Sequence, residues 1–288
     1  MRFTDPAAMR MALERRLRNE ADTTGVALVR LRKRVAFERF LARLAVSSAD
    51  WVLKGAFALE LRLRLQTRMT KDIDLARDDD EATVTRDLVA AAALDLGDFF
   101  AFRVRRVPAV EETIGIRAVR YAVISELAGR RFEQFPLDVG LAEAAVLPAD
   151  VIETKGALAF AGIELPPLAV IAIEQHVAEK LHAYTARYGS DARRSTRAKD
   201  LIDLVLIARH ATPRVDRLRA AVVSTFERRS RQALPRKLPA PPESWAVSYA
   251  RLARDVDLPT SLASAHAEAA ALLDPVLGAC ASVTSTGA

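Results

Sequence analysis

The chain has 288 residues, of which 51% are hydrophobic and 28% charged, and this balance excludes a protein that is disordered as a whole. Its net charge of +6 permits a nucleotide or nucleic acid as partner without demonstrating one. Because Cys280 is the only cysteine and charges interrupt every long apolar stretch, we expect no internal disulfide, no zinc site, no signal peptide and no membrane span, and therefore a cytoplasmic protein.

The first half of the chain is predicted to be α/β. Two amphipathic helices over 7–20 and 26–46 come first, because apolar residues recur there at intervals of three and four. A strand at 51–53, a turn, a helix to about residue 65 and a second strand at 73–75 follow. The remaining predicted elements are a helix at 81–95 and strands of a mixed sheet at 100–107, 117–126 and 131–141.

The second half is predicted to be helical. From Ile171 onward, polar or proline-rich turns separate helical patterns at 172–187, 198–210, 214–228, 245–255 and 260–277. This change of character predicts an α/β domain over residues 1–150 and a mainly helical domain over residues 151–288.

Asp72 and Asp74 are the first candidates for a metal site. They lie two residues apart around Ile73, and alternate residues of a strand point to the same face. Two like charges this close persist most readily where a divalent cation neutralises them, and magnesium, with manganese as the alternative, is the usual ion for such oxygen ligands. The competing interpretation is an exposed strand end whose aspartates are only solvated.

Asp138 is a third candidate metal ligand. It interrupts an otherwise apolar strand at 135–141, where an unpaired charge is costly to bury. In phosphoryl transfer one such carboxylate can also accept the proton of the attacking hydroxyl. The structural alternative is a strand-end aspartate that caps a turn.

The turn formed by Lys54, Gly55 and Ala56 is a candidate phosphate site. A strand-to-helix turn offers backbone N–H groups and the positive end of the helix dipole to a phosphate. Lysine usage supports this interpretation, because only seven of the 43 basic residues are lysines and a compact ammonium is not replaced by a guanidinium. Four of those seven lie in candidate segments: Lys54, Lys71, Lys180 and Lys199.

Two neighbouring helical patterns carry the last candidates. Lys180 lies in an apolar stripe, so its ammonium is expected to point at something acidic, either a triphosphate or Asp200. Asp200 and Asp203 are three residues apart and share one helix face. Ion pairs that merely join the two helices are an equally good interpretation of these residues.

At these motifs the sequence resembles the AbiEii family of nucleotidyltransferase toxins, which includes the mycobacterial MenT toxins, within the DNA polymerase β-like superfamily. The resemblance covers roughly residues 25–210. It rests on five ordered segments: Leu53-Lys54-Gly55-Ala56, Thr70-Lys71-Asp72-Ile73-Asp74, Leu137-Asp138-Val139, Glu179-Lys180-Leu181-His182-Ala183 and Lys199-Asp200-Leu201-Ile202-Asp203.

The resemblance implies a bilobed enzyme with a mixed-sheet nucleotidyltransferase-like lobe and a helical lobe. It implies a nucleoside triphosphate and magnesium, transfer of a nucleotide to the tRNA acceptor end, a block of translation, and a cognate antitoxin. Asp72 and Asp74 would be metal ligands, Lys180 a phosphate clamp and Asp200 its partner or a base. The family's second glycine or serine is Ala56 here, which leaves the backbone amides for phosphate contact.

Thr70, beside the acidic pair, is a hypothetical modification site, since a phosphate there would repel a triphosphate. Two functional alternatives to transfer onto RNA stay open: transfer to a protein hydroxyl, and a catalytically idle nucleotide-binding module. Two basic groups are candidates to follow an RNA backbone: Arg103, Arg105 and Arg106, and Arg228, Arg229, Arg231, Arg236 and Lys237.

Overall fold

The structure is a computed structural model that shows a mixed α/β fold, as the sequence predicted. It describes residues 3–47, 50–64, 70–108, 118–141, 146–188, 193–194, 197–229 and 232–284. The chain forms two compact units, one from 1–57, 70–144 and 150–170, the other from 58–69, 145–149 and 171–288. Within the described ranges no helix has the length and apolar character needed to cross a membrane.

A seven-stranded mixed sheet forms the centre of the first unit. Its strands are β1 (Val52–Lys54), β2 (Ile73–Arg77), β3 (Phe100–Val107), β4 (Ala118–Leu127), β5 (Arg130–Leu141), β6 (Asp150–Ile152) and β7 (Leu168–Val170). Their spatial order is β3-β4-β5-β2-β1-β7-β6. β2 runs parallel to β5, and β1 runs parallel to β7, whereas the other neighbours are antiparallel.

Three helices of the first unit are α1 (Pro6–Thr24), α2 (Leu28–Val46) and α4 (Glu81–Ala92). The sheet alternates as a strand must, so that Phe135, Leu137 and Val139 of β5 are buried while the residues between them are more accessible. Phe37 of α2 meets Phe135 edge to face, with ring centroids 4.8 Å apart. The opposite face of β5 is the one that carries Asp138.

A buried ion cluster on α2 was not predicted. Arg43 donates to both oxygens of Asp98 at 3.0 and 2.8 Å, and Arg39 donates to the same carboxylate at 2.7 Å. Although burial opposes it, hydrogen bonds and charge from Arg43, together with the charge of Arg39, hold the Asp98 pKa below its ordinary value. These arginines therefore belong to the core of the first unit.

Among the described residues, five α-helices lie wholly within the second unit: α5 (Ile173–Thr185), α6 (Ala198–His210), α7 (Val215–Arg229), α8 (Ala246–Arg254) and α9 (Leu262–Thr284). A short hairpin, β8 (Arg187–Tyr188) with β9 (Arg193–Arg194), lies between α5 and α6. The unit has its own hydrophobic core, which includes Leu59, Val177, Leu201 and Leu273. Helix α3 (Gly55–Leu63) begins in the first unit and supplies Leu59 to the second.

The predicted elements agree with the structure to within a few residues, except that α9 extends to Thr284 and not to 277. Strands β6 and β7, the β8–β9 hairpin and the 3₁₀ turns at Ala159–Ala161 and Glu243–Trp245 were not predicted, because two or three residues are too few to show a periodic pattern. The predicted domain boundary at residue 150 stays a prediction.

Candidate active site

A row of four charged residues crosses four neighbouring strands of the sheet. Lys54 of β1 lies opposite Asp74 of β2, Asp74 lies opposite Asp138 of β5, and Asp138 lies opposite Arg120 of β4. Residues opposite each other in a sheet project from the same face. All four are only partly buried. The fold thus places two carboxylates side by side, with one cationic residue at each end of the row.

Asp72 lies at the edge of this row, one residue before β2 begins. Ile73 is fully buried, whereas Asp72 and Asp74 on either side of it are partly exposed, as the alternation of a strand requires. The Thr70 hydroxyl donates to the Asp72 backbone oxygen at 3.1 Å and to its Oδ1 at 3.2 Å. Thr70 therefore orients Asp72. The modification predicted at Thr70 stays a prediction.

Gly55 determines how closely the Asp74 carboxylate approaches helix α3. Gly55 has φ +67°, a backbone conformation that favours glycine. A Cβ atom at this position would lie 1.9 Å from Asp74 Oδ2 and 2.7 Å from its Cγ. Any side chain here would displace Asp74, so the absence of one brings the carboxylate against the first residue of α3. Buried Ala56 follows it.

Asp138 has a specific partner, which the sequence did not reveal. Arg120 Nε donates to Asp138 Oδ1 at 2.7 Å, and Arg120 Nη2 donates to Oδ2 at 2.6 Å. The Arg120 side chain is 39% exposed and that of Asp138 is 23% exposed. Within the described residues, no three His, Cys, Asp or Glu side chains converge to hold a metal ion. The predicted three-carboxylate metal site stays a prediction.

All three carboxylates affect the pKa of the Arg120 guanidinium. Hydrogen bonds with Asp138 raise its pKa above the ordinary value against the opposing effect of burial, and the charges of Asp138, Asp72 and Asp74 add to the increase. Two half-exposed carboxylates, Asp72 and Asp74, fit the donor set of magnesium, which commonly uses one or two carboxylates together with water and substrate phosphates. The donor chemistry therefore suits a hard divalent cation.

The second unit contains a different charged cluster, between α5 and α6. Lys180 Nζ lies 2.7 Å from Asp203 Oδ2 and 3.2 Å from Asp200 Oδ1, and both aspartates are fully buried. Arg197 Nε lies 3.3 Å from Asp200 Oδ2. The structure thus gives Lys180 the acidic partner that one interpretation predicted. Its role as a phosphate clamp, and that of Asp200 beside it, stay predictions.

His176 lies one helical turn before Lys180 and is almost wholly buried. Burial, and next the positive charge of Lys180, lower its pKa to about 3. The imidazole is therefore neutral at physiological pH. It is buried within the second unit.

The remaining predicted residues have less specific surroundings. Lys71 is exposed and Lys199 is partly buried. In the first basic group, Arg103 pairs with Glu126 and Arg106 pairs with Glu81. In the second group, Arg229 lies 3.7 Å from Glu179, Arg236 and Lys237 are exposed, and Arg231 lies outside the described residues.

The sequence interpretation missed Arg120 and Arg197. Both are arginines in a chain with 36 of them, so composition gives no signal, and only tertiary pairing shows their partners. A weak signal existed for Arg120, since it occupies an outward position of a predicted strand whose inward positions are apolar.

The chain is similar in structure to MenT4, a nucleotidyltransferase toxin from Mycobacterium tuberculosis H37Rv, with a TM-score of 0.58, 19% sequence identity, and coverage of 93% of this chain and 89% of MenT4. At that identity the likeness shows the fold alone. No curated protein matches the chain by sequence. The model of the family described as "Nucleotidyl transferase AbiEii toxin, Type IV TA system" matches residues 39–274. Since this match spans most of the sequence, the chain belongs to the AbiEii family of nucleotidyltransferase toxins.

Proposed function

We propose that this nucleotidyltransferase toxin transfers a nucleoside monophosphate from a nucleoside triphosphate to the 3′ acceptor end of tRNA, with magnesium, and thereby blocks translation in the cytoplasm. The observation that carries the proposal is the row Lys54–Asp74–Asp138–Arg120, with Asp72 beside it. Adjacent carboxylates on a half-exposed sheet face attract a divalent cation that neutralises them. Family membership supports a partner antitoxin that restrains the enzyme.

In this proposal the carboxylates and the turn before α3 have separate tasks. Asp72 and Asp74 hold the metal, with Asp138 as a third carboxylate. The bound metal supplies positive charge to the triphosphate. The first amides of α3 and the Lys54 ammonium orient phosphate oxygens, because a helix N-terminus favours anions. Ala56 contributes only its backbone there.

The chemical step transfers the nucleotidyl group, which reacts at its α-phosphorus. The 3′-hydroxyl oxygen of the acceptor forms a bond to the α-phosphorus, and the bond between that phosphorus and the bridging oxygen of pyrophosphate breaks. The hydroxyl proton passes to a carboxylate of the acidic group, and pyrophosphate leaves with the electron pair of the broken bond. Positioning and charge account for most of the catalysis in such transfers.

The proposal is tested by incubating the protein with total tRNA, Mg²⁺ and each of the four labelled nucleoside triphosphates in turn. We expect label on tRNA, and no label on tRNA whose 3′ end has been oxidised with periodate. The Asp72→Ala, Asp74→Ala double variant should be inactive. A control that removes two exposed aspartates, Asp78→Ala, Asp255→Ala, should remain active.

Each other outcome has a definite meaning. Label on protein instead of RNA would replace the tRNA proposal with transfer to a protein hydroxyl. Label that survives periodate oxidation would exclude the 3′ end. Label transfer with Mn²⁺ but none with Mg²⁺ would overturn the choice of metal, and no label under any condition would favour an idle nucleotide-binding module.

A further inference from the structure

Arg120 has contacts that indicate a role in controlling the metal site. We infer that Arg120 competes with the divalent cation for Asp138 and so weakens metal binding while no nucleotide is present. The inference rests on the proposed function, because it takes the acidic group as the metal site. It adds a positioning residue that sets the affinity of that site.

The geometry of the pair makes the competition direct. The guanidinium donates to both oxygens of Asp138, at 2.7 and 2.6 Å. Such a two-bond arrangement is the strongest that arginine makes with a carboxylate. A metal that binds Asp138 therefore competes with these hydrogen bonds for the lone pairs of the carboxylate, whereas the side chain that donates a hydrogen bond to the Asp72 carboxylate is the neutral Thr70 hydroxyl.

The charges of the row act in the same direction. Asp74 and Asp138 lie opposite each other on parallel strands, so their negative charges repel. Arg120 at the end of the row relieves this repulsion, as a bound divalent cation also would. Its own positive charge opposes the arrival of that cation.

The exposure of the pair makes the exchange feasible. Arg120 is 39% exposed, so water can solvate the guanidinium when it leaves Asp138. The Arg43–Asp98 pair in the same unit is a useful contrast, because both of its side chains are fully buried and a released charge there would have no solvent. Arg120 is therefore accessible enough for a cation to replace it at Asp138. Arg43 is too deeply buried to leave Asp98.

The inference is tested by titrating the nucleotide-free protein with Mn²⁺ and measuring free metal by electron paramagnetic resonance. We expect Arg120→Gln to bind Mn²⁺ roughly tenfold more tightly than the unmodified protein, because a nearby positive charge and a competing partner are both removed. Arg120→Lys keeps the charge without the two-bond arrangement and should give an intermediate affinity. Arg103→Gln, which removes another paired arginine of the same sheet, should change affinity by less than about twofold.

A double-mutant cycle separates competition from a general charge effect. In an Asp138→Asn background, Arg120→Gln should tighten binding by no more than about threefold, since the shared carboxylate is gone. Equal tightening in both backgrounds, or no tightening by Arg120→Gln alone, would overturn the inference. If circular dichroism shows that Arg120→Gln does not fold, the Mn²⁺ affinity of Arg120→Lys is measured instead. An Arg120→Lys affinity no tighter than that of the unmodified protein would then overturn the inference.

Failure of the proposed function gives a different result. The Asp72→Asn, Asp74→Asn variant should lose Mn²⁺ binding, and unchanged binding by that variant would overturn the metal site itself. Loss of binding in that variant together with unaltered affinity in Arg120→Gln would leave the metal site standing and refute the competition alone.

Discussion

The two charged clusters of this protein use similar residues in opposite surroundings. In the first unit, Asp72, Asp74 and Asp138 are partly exposed, and two of them lie side by side across a pair of strands. In the second unit, Asp200 and Asp203 are fully buried on either side of one ammonium. In our proposal the exposed group binds a further cation, whereas the buried group already contains the Lys180 ammonium.

Burial distinguishes carboxylates that the fold requires from carboxylates that a bound ligand requires. A buried carboxylate must be paired for the chain to fold, so its partner lies within the protein. Half-exposed carboxylates that repel each other do little for folding, and a bound ligand explains them better. Variants in the two clusters should therefore act on different quantities.

The largest effect is expected in the exposed cluster and on activity alone. The Asp72→Ala, Asp74→Ala variant should lose at least roughly 10³-fold in transfer rate, equivalent to about 4 kcal/mol of transition-state stabilisation. Its free energy of unfolding should stay the same or rise slightly, because two repelling charges are removed. Transfer assays measure the rate, and urea denaturation measures the free energy of unfolding. A large loss of stability would show that Asp72 and Asp74 serve folding as well as activity.

The next effect is expected in the buried cluster and on stability. Lys180→Met leaves two buried carboxylates facing each other and should lower the free energy of unfolding by about 3–5 kcal/mol. Adding Asp200→Asn and Asp203→Asn should restore much of it. Urea denaturation provides the measurement, with exposed Lys237→Met as the control. An unchanged midpoint for Lys180→Met would show that this ammonium is not needed for folding.

Gly55 allows the exposed cluster to be disturbed without changing any charge. Gly55→Ala should reduce transfer roughly 10²-fold, because a displaced metal ligand misaligns the reacting atoms. Gly97→Ala is the matched control, since Gly97 has a similar φ of +64° and no atom within 4 Å of the added Cβ. It should share the backbone strain, about 1 kcal/mol, with full activity. Equal activity of the two variants would contradict the role assigned to the Asp74 contact.

The smallest effect concerns acid stability of the second unit. The pKa of His176 is about 3 in the folded protein, below its ordinary value of 6.5. The unfolded chain therefore binds the proton first as pH falls, and folding stability is lost progressively from about pH 6.5 toward pH 3. At pH 5 this amounts to about 2 kcal/mol. His176→Leu should remove that part of the pH dependence, and exposed His210→Leu should retain it.

Much of this fold follows from sequence because its elements are long and regular. The strand around Asp74 and the helices around Lys180 and Asp200 are identified by local periodicity, and the same periodicity places Asp72 and Asp74 on one face. The alternative that Lys180 meets Asp200 was also available, since both lie in clear helical patterns. The mixed α/β class and the family follow from these segments.

Contacts between segments far apart in the chain could not be predicted. That Lys54, Asp74, Asp138 and Arg120 form one row depends on strand order and register, which local patterns do not specify. Likewise, a Cβ atom at residue 55 would clash with Asp74 only because the fold brings β2 beside the first residue of α3. The burial of Arg43 also depends on its partner, Asp98, which lies 55 residues away in the chain.

Helix α3 has a practical consequence for anyone who wishes to dissect the protein. The chain changes unit between Phe57 and Ala58, and Leu59, fully buried in the second unit, comes from the N-terminal third of the sequence. A fragment beginning at Ile171 would lack this side chain and leave a void in its core. No single cut in the gene yields both units intact, so each would have to be produced by circular permutation or by joining non-contiguous segments.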